Sequence, residues 1–257
     1  MLTFRNTNLF FGILVISILV VGIWTSFPSY TLALIVLLYA SILIYGSISI
    51  GSNFFLKVLC SGQTSEKVIA ISFDDGPVEH YTPAVLRVLK ELNVPAAFFC
   101  IGKRIVENES IFITIHSEGH LVGNHSFSHN PIIDLFPAGP LLKDLRMTDA
   151  AFQRLLNFRP VLFRPPYGVT TPPMNVAIVK GGYTAIGWNI RSFDTIASNE
   201  KKLLARLLRS LHPGAIILLH DTKKITLSIL PEFIRSARNE GYEFVRLDKL
   251  LNVNAYV

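Results

Sequence analysis

Charged residues are almost absent from the start of the chain. Arg5 is the only one among residues 1–52, although the 257-residue sequence holds 24 basic and 18 acidic residues. The remainder is about 20% charged, close to the average for globular domains. The whole chain is nevertheless 50% hydrophobic, with a mean hydropathy of +0.43. This distribution excludes a fully soluble cytosolic protein, a disordered chain and a transporter with many spans, and it predicts a membrane segment attached to one globular domain.

Cysteines and clustered basic residues are also scarce. The two cysteines, Cys60 and Cys100, are too few for a disulfide framework, and no CxxC spacing is present. The net charge is +6, but the basic side chains are scattered along the chain. Nucleic acid is therefore not expected as a partner.

Two long apolar runs account for the excess hydropathy. They cover residues 9–24 and 30–50, and each is close to the ~20 residues that cross a bilayer. The linker Ser26–Ser29 contains Pro28, which is a turn signal. Aromatic residues suited to the membrane interface flank the turn, namely Trp24, Phe27 and Tyr30. We predict an anchor over residues 1–57 with transmembrane helices at about 9–25 and 30–50, and a globular domain over residues 58–257.

A signal peptide followed by a buried helix is the alternative interpretation of these runs. It is disfavoured because only one basic residue precedes the first run and no small-x-small cleavage site precedes the second. A hairpin places both ends of the anchor on one side of the membrane. Arg5 and Lys57 favour the cytoplasm, but a long domain can be translocated regardless, so the side stays open.

Short apolar runs alternate with amphipathic stretches after residue 57. The predicted strands are Val68–Phe73, Ala96–Ile101, Leu121–Asn124, Val161–Phe163, Thr184–Trp188, Ala215–Leu219 and Glu243–Leu247. The predicted helices are Thr82–Leu92, Lys103–Ser117, Pro140–Leu156, Met174–Gly181, Glu200–Leu211 and Leu227–Glu240. Such alternation is typical of an α/β fold, either a (β/α) barrel or a doubly wound sheet.

Ionisable residues follow most of these predicted strands. They are Asp74 and Asp75, His125, Arg164, Asp194, and His220 with Asp221. In both candidate architectures the carboxyl ends of parallel strands gather at one face, where ligands and catalytic groups lie. We expect these side chains to converge.

The sequence His125-Ser-Phe-Ser-His129 places two imidazoles four residues apart. On one turn of helix they would point the same way and suit two ligands of one metal ion, although a surface or helix-capping pair has the same spacing. A third ligand from Asp74 or Asp75 would leave an open position, as in catalytic metal sites.

Asp74 and Asp75 are predicted to have different roles. Successive side chains alternate across a strand, which argues against the facing carboxyl pair of glycosidases. One carboxylate would bind the metal while the other acts as general base on water. A plain Asp-Asp-Gly-Pro turn is the alternative interpretation.

Two further residues complete a hydrolytic site. His220 ends the apolar run Ala215–Leu219 and is the candidate proton donor for the leaving group, with a core histidine as the alternative. Arg164 is a candidate to hold a carboxylate bidentately, or else is a surface residue. Pro165 and Pro166 stiffen the backbone that follows, where an N–H group would stabilise an oxyanion.

Four motifs occur in order: Ser72-Phe-Asp74-Asp75-Gly-Pro77, His125-Ser-x-x-His129, Arg164-x-Pro-Tyr167-Gly168 and Leu218-Leu-His220-Asp221. Together they resemble the polysaccharide deacetylases of carbohydrate esterase family 4, the NodB homology domain, from about Val68 to Leu247. The resemblance implies a distorted (β/α) barrel that removes N-acetyl groups from amino sugars with a divalent metal ion, commonly zinc, with cobalt or nickel as alternatives.

The resemblance also implies roles for individual residues. Asp74 corresponds to the catalytic base, His220 to the catalytic acid and Arg164 to the residue that tunes the base. The implied metal ligands are Asp75, His125 and His129. Tyr167 supplies an oxyanion-binding backbone group, and Leu218 falls where the family forms the acetyl pocket.

The sequence departs from the family pattern after Trp188. Members often read Asp-x-x-Asp-Trp there, whereas this chain has Arg191 in place of the first acid and Thr195 in place of the aromatic residue. Asp194 retains the second acid and is expected to orient Arg164 or His220. Arg191 suits a substrate that carries phosphate or carboxylate, unless it is simply an exposed arginine paired with a carboxylate.

These observations predict an integral membrane hydrolase that acts on carbon–nitrogen bonds other than peptide bonds, with an N-acetylated cell-wall, capsular or lipid-linked glycan as its substrate. A narrower alternative is a deacylase or deformylase of a sugar on polyprenyl phosphate, acting at the membrane surface. Two other classes stay open: a catalytically inactive glycan-binding domain and a two-histidine, one-carboxylate iron oxygenase.

Overall fold

The computed structural model describes residues 2–25, 28 and 30–257. Ser26, Phe27 and Ser29 of the predicted turn lie outside the described residues. Two long helices come first, α1 (Phe4–Gly22) and α2 (Thr31–Ile48). By length and composition both could cross a membrane, and only 11% and 6% of their apolar windows are buried. The buried core helix of the alternative interpretation therefore does not describe α2.

Helix α1 begins earlier than the apolar run predicted. Thr3 accepts a hydrogen bond from the Asn6 N–H and so caps the helix at Phe4. The two helices contact each other, and Tyr39 on α2 donates a 2.7 Å hydrogen bond to Asn8 Oδ1 on α1. A polar contact of this kind fixes the register of two otherwise apolar helices.

The remaining described chain is a curled parallel sheet covered by helices. The strands are β1 (Val58–Leu59), β2 (Val68–Asp74), β3 (Ala96–Cys100), β4 (Leu121–Asn124), β5 (Leu162–Phe163), β6 (Thr184–Ile186), β7 (Ile190–Arg191), β8 (Ile216–His220) and β9 (Glu243–Phe244). Their order is β1-β6-β5-β4-β3-β2-β8-β7, with β9 paired to the start of β2. The predicted distorted (β/α) barrel is confirmed.

Eight α-helices follow α1 and α2 in the described chain. They are α3 (Thr82–Glu91), α4 (Gly102–Glu107), α5 (Glu109–Ser117), α6 (Ala138–Leu156), α7 (Pro172–Gly181), α8 (Glu200–Arg209), α9 (Lys224–Asn239) and α10 (Leu247–Leu251). The predicted single helix over Lys103–Ser117 is wrong at Asn108. This residue leaves helical geometry, with φ −134° and ψ 49°, and its side chain bonds to the carbonyls of Arg104 and Pro77. Asparagine breaks helices in this way because its amide competes for backbone groups.

Strand β2 shows how the fold points polar groups toward the barrel interior. Ile69, Ile71 and Phe73 pack in the cluster between sheet and helices, whereas Ala70 belongs to the cluster inside the barrel. Successive side chains alternate across a strand. Ser72 and Asp74 therefore share the inner side with Ala70.

The end of α2 rests against the carboxyl side of the barrel. The Thr170 N–H donates a 3.0 Å hydrogen bond to the Ser47 carbonyl. Just after α2, Ile50 packs with the inner cluster. A Cβ atom added to Gly168 would lie 3.7 Å from Ile50 Cδ1, and one added to Gly187 would lie 3.2 Å from it. The end of α2 and the loop after β5 are thus in direct contact.

Candidate active site

The predicted ionisable residues converge at the carboxyl end of the barrel, and Arg164 lies at their centre. Its side chain is fully buried, and its guanidinium carbon lies 4.0 Å from the centre of the Phe99 ring. Nη1 donates hydrogen bonds to Asp74 Oδ1 (2.7 Å) and Ser72 Oγ (2.8 Å), and Nη2 donates to the Gly187 carbonyl (2.9 Å). Arg164 is therefore a core residue, and the surface alternative is wrong.

The predicted bidentate grip on a carboxylate is also wrong. Only one oxygen of Asp74 is bonded to Arg164, because the other guanidinium nitrogens face the carbonyls of Gly187 and Ile186. This geometry leaves Asp74 Oδ2 directed toward the histidines, 3.8 Å from His125 Nε2. The arginine thus orients Asp74 while the second oxygen remains available.

Asp75, His125 and His129 form a second group beside Asp74. Their candidate ligand atoms all lie within 4.8 Å of one another. Asp75 Oδ1 is 3.6 Å from His125 Nε2 and 3.4 Å from His129 Nε2. Two imidazoles and one carboxylate are the donor set that zinc and similar divalent ions prefer.

Each histidine is oriented by a contact at its other nitrogen. His125 Nδ1 lies 2.8 Å from the Arg164 carbonyl, so it carries the proton and leaves Nε2 as the free donor atom. His129 Nδ1 lies 3.2 Å from the Tyr167 hydroxyl. Burial, reinforced by His125, lowers the pKa of His129 to about 4. The ring is therefore neutral near pH 7, the state in which imidazole binds metals.

The two imidazoles converge for a different reason from the one predicted. Residues 125–130 form a loop after β4 rather than a turn of helix. Ser126 and His129 both have positive φ, 65° and 45°, and Ser126 Oγ accepts a 3.1 Å hydrogen bond from the His129 N–H. The loop folds back on itself, which brings the rings to a centroid distance of 5.0 Å.

Asp75 does not follow the alternation of side chains predicted for a strand. Asp74 is the last residue of β2, and Asp75 has a φ of 77°, outside extended geometry. Both carboxylates consequently reach within 4 Å of His125 Nε2. Their surroundings still differ, because Asp74 is buried against Arg164 while Asp75 is partly exposed.

His220 and Asp194 form a third unit, and His220 pairs with Asp74 across the neighbouring strands β8 and β2. Asp194 Oδ1 lies 2.7 Å from His220 Nδ1, and Oδ2 accepts a 2.7 Å hydrogen bond from the His220 N–H. Burial opposes protonation of His220 most strongly, but the hydrogen bond and charge of Asp194, with Asp74 and Asp75, outweigh it and raise the pKa. Asp194 does not contact Arg164, so only the His220 half of that expectation is realised.

Two supporting residues, Asp144 and Thr226, were not predicted from the sequence. Asp144 on α6 accepts hydrogen bonds from the N–H groups of Phe127 (2.7 Å) and Ser128 (3.2 Å), and so secures the histidine loop. Thr226 Oγ1 donates a 2.5 Å hydrogen bond to Asp194 Oδ2. Asp144 lies on an amphipathic helix and Thr226 in the first turn of another, where polar residues are ordinary, so no sequence signal distinguished them.

The remaining predicted residues, Tyr167, Leu218 and Arg191, differ in their exposure. Tyr167 is 45% exposed and has a φ of 58°. Leu218 is buried in the inner cluster with Trp188. Arg191 is exposed and pairs with Leu218 in the sheet, and no carboxylate of the described residues lies within ion-pair distance of it. The paired-arginine alternative is therefore wrong within the described chain.

Known proteins are similar to this chain in sequence and in fold. A family model described as polysaccharide deacetylase matches residues 61–186. The peptidoglycan-N-acetylmuramic acid deacetylase PdaA of Bacillus subtilis is 31% identical over 194 residues, which cover 74% of this chain and 73% of that protein. The chain belongs to the polysaccharide deacetylase family. Members of this family are metal-dependent hydrolases of carbon–nitrogen bonds other than peptide bonds.

Two further comparisons extend the family assignment. The peptidoglycan-N-acetylglucosamine deacetylase PgdA of Listeria monocytogenes is 33% identical over 186 residues, which cover 72% of this chain but 39% of PgdA. This deacetylase-family chain thus spans well under half of that relative. A solved structure of the Bc1960 peptidoglycan N-acetylglucosamine deacetylase superposes with a TM-score of 0.73 at 26% identity, covering 77% of this chain and 94% of that one.

Proposed function

We propose that the chain is a metal-dependent deacetylase that removes N-acetyl groups from amino sugars of a cell-wall glycan. The observation that carries this proposal is the convergence of three units. They are the Asp75, His125 and His129 group, Asp74 held by Arg164, and His220 held by Asp194. Members of the family named for N-acetylglucosamine and N-acetylmuramic acid deacetylation support the substrate class.

The group of Asp75, His125 and His129 fits a divalent metal ion. Both Nε2 atoms face Asp75 Oδ1, and His125 is fixed with its proton on the opposite nitrogen. We assign these three residues as ligands, with zinc as the expected ion and cobalt or nickel as alternatives. A bound ion would polarise the acetamide carbonyl and lower the pKa of a water molecule beside it.

Asp74 is assigned as the general base. Its Oδ1 is held by Arg164, while Oδ2 points to the side where the histidine Nε2 atoms lie. A carboxylate in this position accepts a proton from the attacking water. Arg164, which also donates to Ser72 Oγ, keeps the carboxylate in place and thereby fixes the direction of proton transfer.

His220 is assigned as the general acid. Asp194 binds Nδ1, which leaves Nε2 as the atom that meets the leaving amine. The raised pKa keeps the ring protonated at a higher pH than an ordinary histidine. We assign the Tyr167 backbone N–H to the oxyanion, Leu218 to the acetyl methyl pocket and Arg191 to substrate binding.

The apolar helices complete the proposal. We infer that residues 1–57 anchor the enzyme in the membrane and that residues 58–257 form the catalytic domain. Helices α1 and α2 are long and apolar enough to span, and their faces are largely exposed. The contact between Thr170 and Ser47 holds the domain close to the end of α2, so the glycan is expected at the membrane surface.

The test uses the full chain purified in detergent. Acetate release from N-acetylglucosamine oligomers should be lost after thorough chelation and return with Zn²⁺ or Co²⁺. Asp74→Asn should be inactive although it binds metal normally, because it removes the base and not a ligand. Acetate release that persists after chelation, or in Asp74→Asn, would contradict the mechanism. Full cellular function in an Asp74→Asn variant that releases no acetate would favour a non-catalytic glycan-binding role.

A sugar carried on polyprenyl phosphate is the second candidate substrate. It is favoured by the exposed Arg191 without a carboxylate partner in the described chain, and by the proximity of α2 to the loop after β5. Deacylation or deformylation of such a sugar would use the same residues. A dependence of turnover on the lipid part of the substrate would select this candidate.

A further inference from the structure

Phe193 lies between the sheet and α8 in a cluster of aromatic and cationic groups. The guanidinium carbons of Arg191 and Arg206 lie 5.1 Å and 5.2 Å from the centre of its ring. Phe193 has a φ of 57°, a strained conformation for a residue with a side chain. The side chain is 41% exposed and therefore forms part of the surface.

The cations of this cluster are not neutralised by neighbouring carboxylates. Within the described chain, Arg191, Lys202 and Arg206 lack an ion-pair partner. Nε and Nη2 of Arg206 are shielded from solvent, yet they have no hydrogen-bond acceptor among the described residues. Shielded donors without partners are costly, and an anion would satisfy them.

A cavity opens beside the Phe193 ring and the Arg206 guanidinium. Its volume is about 440 Å³, enough for a charged group and part of a sugar or lipid. Polar and cationic residues line one part of it, namely Ser198, Asn199, Lys202 and Arg206. The exposed side chain of Ile196 lies at another part, so the cavity joins a cationic region to an apolar one.

The cavity adjoins the catalytic centre through Phe193, one of its lining residues. Phe193 directly precedes Asp194, which binds His220. Arg191 lies 5.8 Å from the Trp188 ring, and Trp188 packs in the same inner cluster as Ile50 just after α2. A ligand in this cavity would therefore lie beside the segment that holds the carboxylate bonded to His220.

We propose that Arg191, Phe193, Lys202 and Arg206 form a phosphate-binding subsite next to the catalytic centre. Arginine forks and a lysine ammonium match the oxygens and charge of a phosphate ester. The phosphate belongs either to the glycan substrate or to a lipid headgroup. This subsite rests on the proposed function, because its purpose is to bring an N-acetylated sugar to His220 and Asp74.

The experiment compares substrates and membranes with the full chain in nanodiscs. In one arm, discs of neutral phosphatidylcholine are used, and chitotetraose is compared with chitotetraose bearing a 6-phosphate. In the other arm, unphosphorylated chitotetraose is used, and neutral discs are compared with discs containing phosphatidylglycerol. Binding of the phosphorylated tetramer is also measured by calorimetry, which does not depend on turnover.

One arm should show a gain in kcat/KM of about tenfold, which corresponds to the free energy contributed by one charge-assisted hydrogen bond. A gain in the first arm assigns the phosphate to the substrate, and a gain in the second assigns it to a headgroup. Arg206→Ala should abolish the gain, Arg206→Lys should restore part of it, and Arg209→Ala, an exposed residue of the same helix, should leave it intact.

The contrary results are distinct from those that test catalysis. The subsite is overturned if neither arm shows a gain, or if the gain survives in Arg206→Ala. If no tetramer is hydrolysed, the proposed function fails. In that case, calorimetry still tests the subsite. Binding of the phosphorylated tetramer that is lost in Arg206→Ala would support it, and binding by Arg206→Ala that equals that of the wild type would overturn it.

Discussion

Arg164 donates a single 2.7 Å hydrogen bond to Asp74 from a position that no solvent reaches. The other nitrogens of the guanidinium are bonded to Gly187 and Ile186, so the backbone fixes the arginine and the arginine fixes the carboxylate. Arg164→Lys keeps the charge but loses this fork. We expect kcat/KM to fall by about 100-fold, because a misdirected base loses proximity and orientation.

Arg164→Ala serves as the comparison for that prediction. It leaves the buried Asp74 carboxylate without its cation, and losing one member of a buried pair typically costs about 3–5 kcal/mol of stability. Thermal unfolding should therefore separate the two variants, with a much larger decrease in Tm for Arg164→Ala. Wild-type kcat/KM in Arg164→Lys would show that Arg164 is structural and does not orient the base.

Asp194→Asn should change the pH dependence of activity. The carboxylate of Asp194 raises the pKa of His220 against the opposing effect of burial. A proton donor is active below its pKa, so activity decreases as the pH rises through that value. Without the charge the pKa falls, and the alkaline limb of the profile of kcat/KM should move to lower pH.

Thr226→Val is the matched control for the pH profile. It removes the hydroxyl that donates to Asp194 Oδ2 but leaves the carboxylate charge that acts on His220. Its alkaline limb should stay near that of the wild type. An unshifted limb in Asp194→Asn would show that His220 is not the group that titrates there.

Asp144→Ala should weaken metal binding although Asp144 does not contact the metal group. Its carboxylate accepts the N–H groups of Phe127 and Ser128 and so shapes the loop between the two histidines. Outer residues that orient metal ligands typically change affinity by about 10–100-fold. Zinc titration calorimetry should show this decrease, and Lys143→Ala, an exposed neighbour, should show none.

The positions of Arg164 and Asp75 show how far the sequence could predict this site. The motifs and strand ends indicated which residues meet, because parallel strands deliver their carboxyl ends to one face. They could not indicate the hydrogen bond from Arg164 to Gly187, which joins segments distant along the chain. The motifs also did not predict the positive φ of Asp75 and His129, because these residue types do not indicate that conformation.

Two short strands were not predicted, for a related reason. Strand β1 (Val58–Leu59) and strand β7 (Ile190–Arg191) have two residues each, too few for an alternating pattern to be visible. Each exists because its neighbour in the sheet, β6 or β8, offers free backbone groups. Tertiary pairing rather than local propensity therefore decides both.

Ile50 should couple the anchor to catalysis. Its side chain fills the space beside Gly168, whose φ of 73° follows the strained Tyr167, and a Cβ at Gly168 would lie 2.6 Å from Trp188. Ile50→Ala leaves a gap at this contact, and the loop that holds Tyr167 gains freedom. We expect kcat to fall several-fold while KM changes little, because the oxyanion contact strengthens in the transition state.

Ile48→Ala is the matched control, because Ile48 is 66% exposed at the end of α2, two residues before Ile50. Both substitutions remove the same side-chain atoms between α2 and the barrel. Only Ile50 lies against Gly168, in the loop that contains Tyr167. The two variants should bind membranes equally, and only Ile50→Ala should lose kcat. Equal losses in the two variants would mean that the junction anchors the domain without positioning Tyr167.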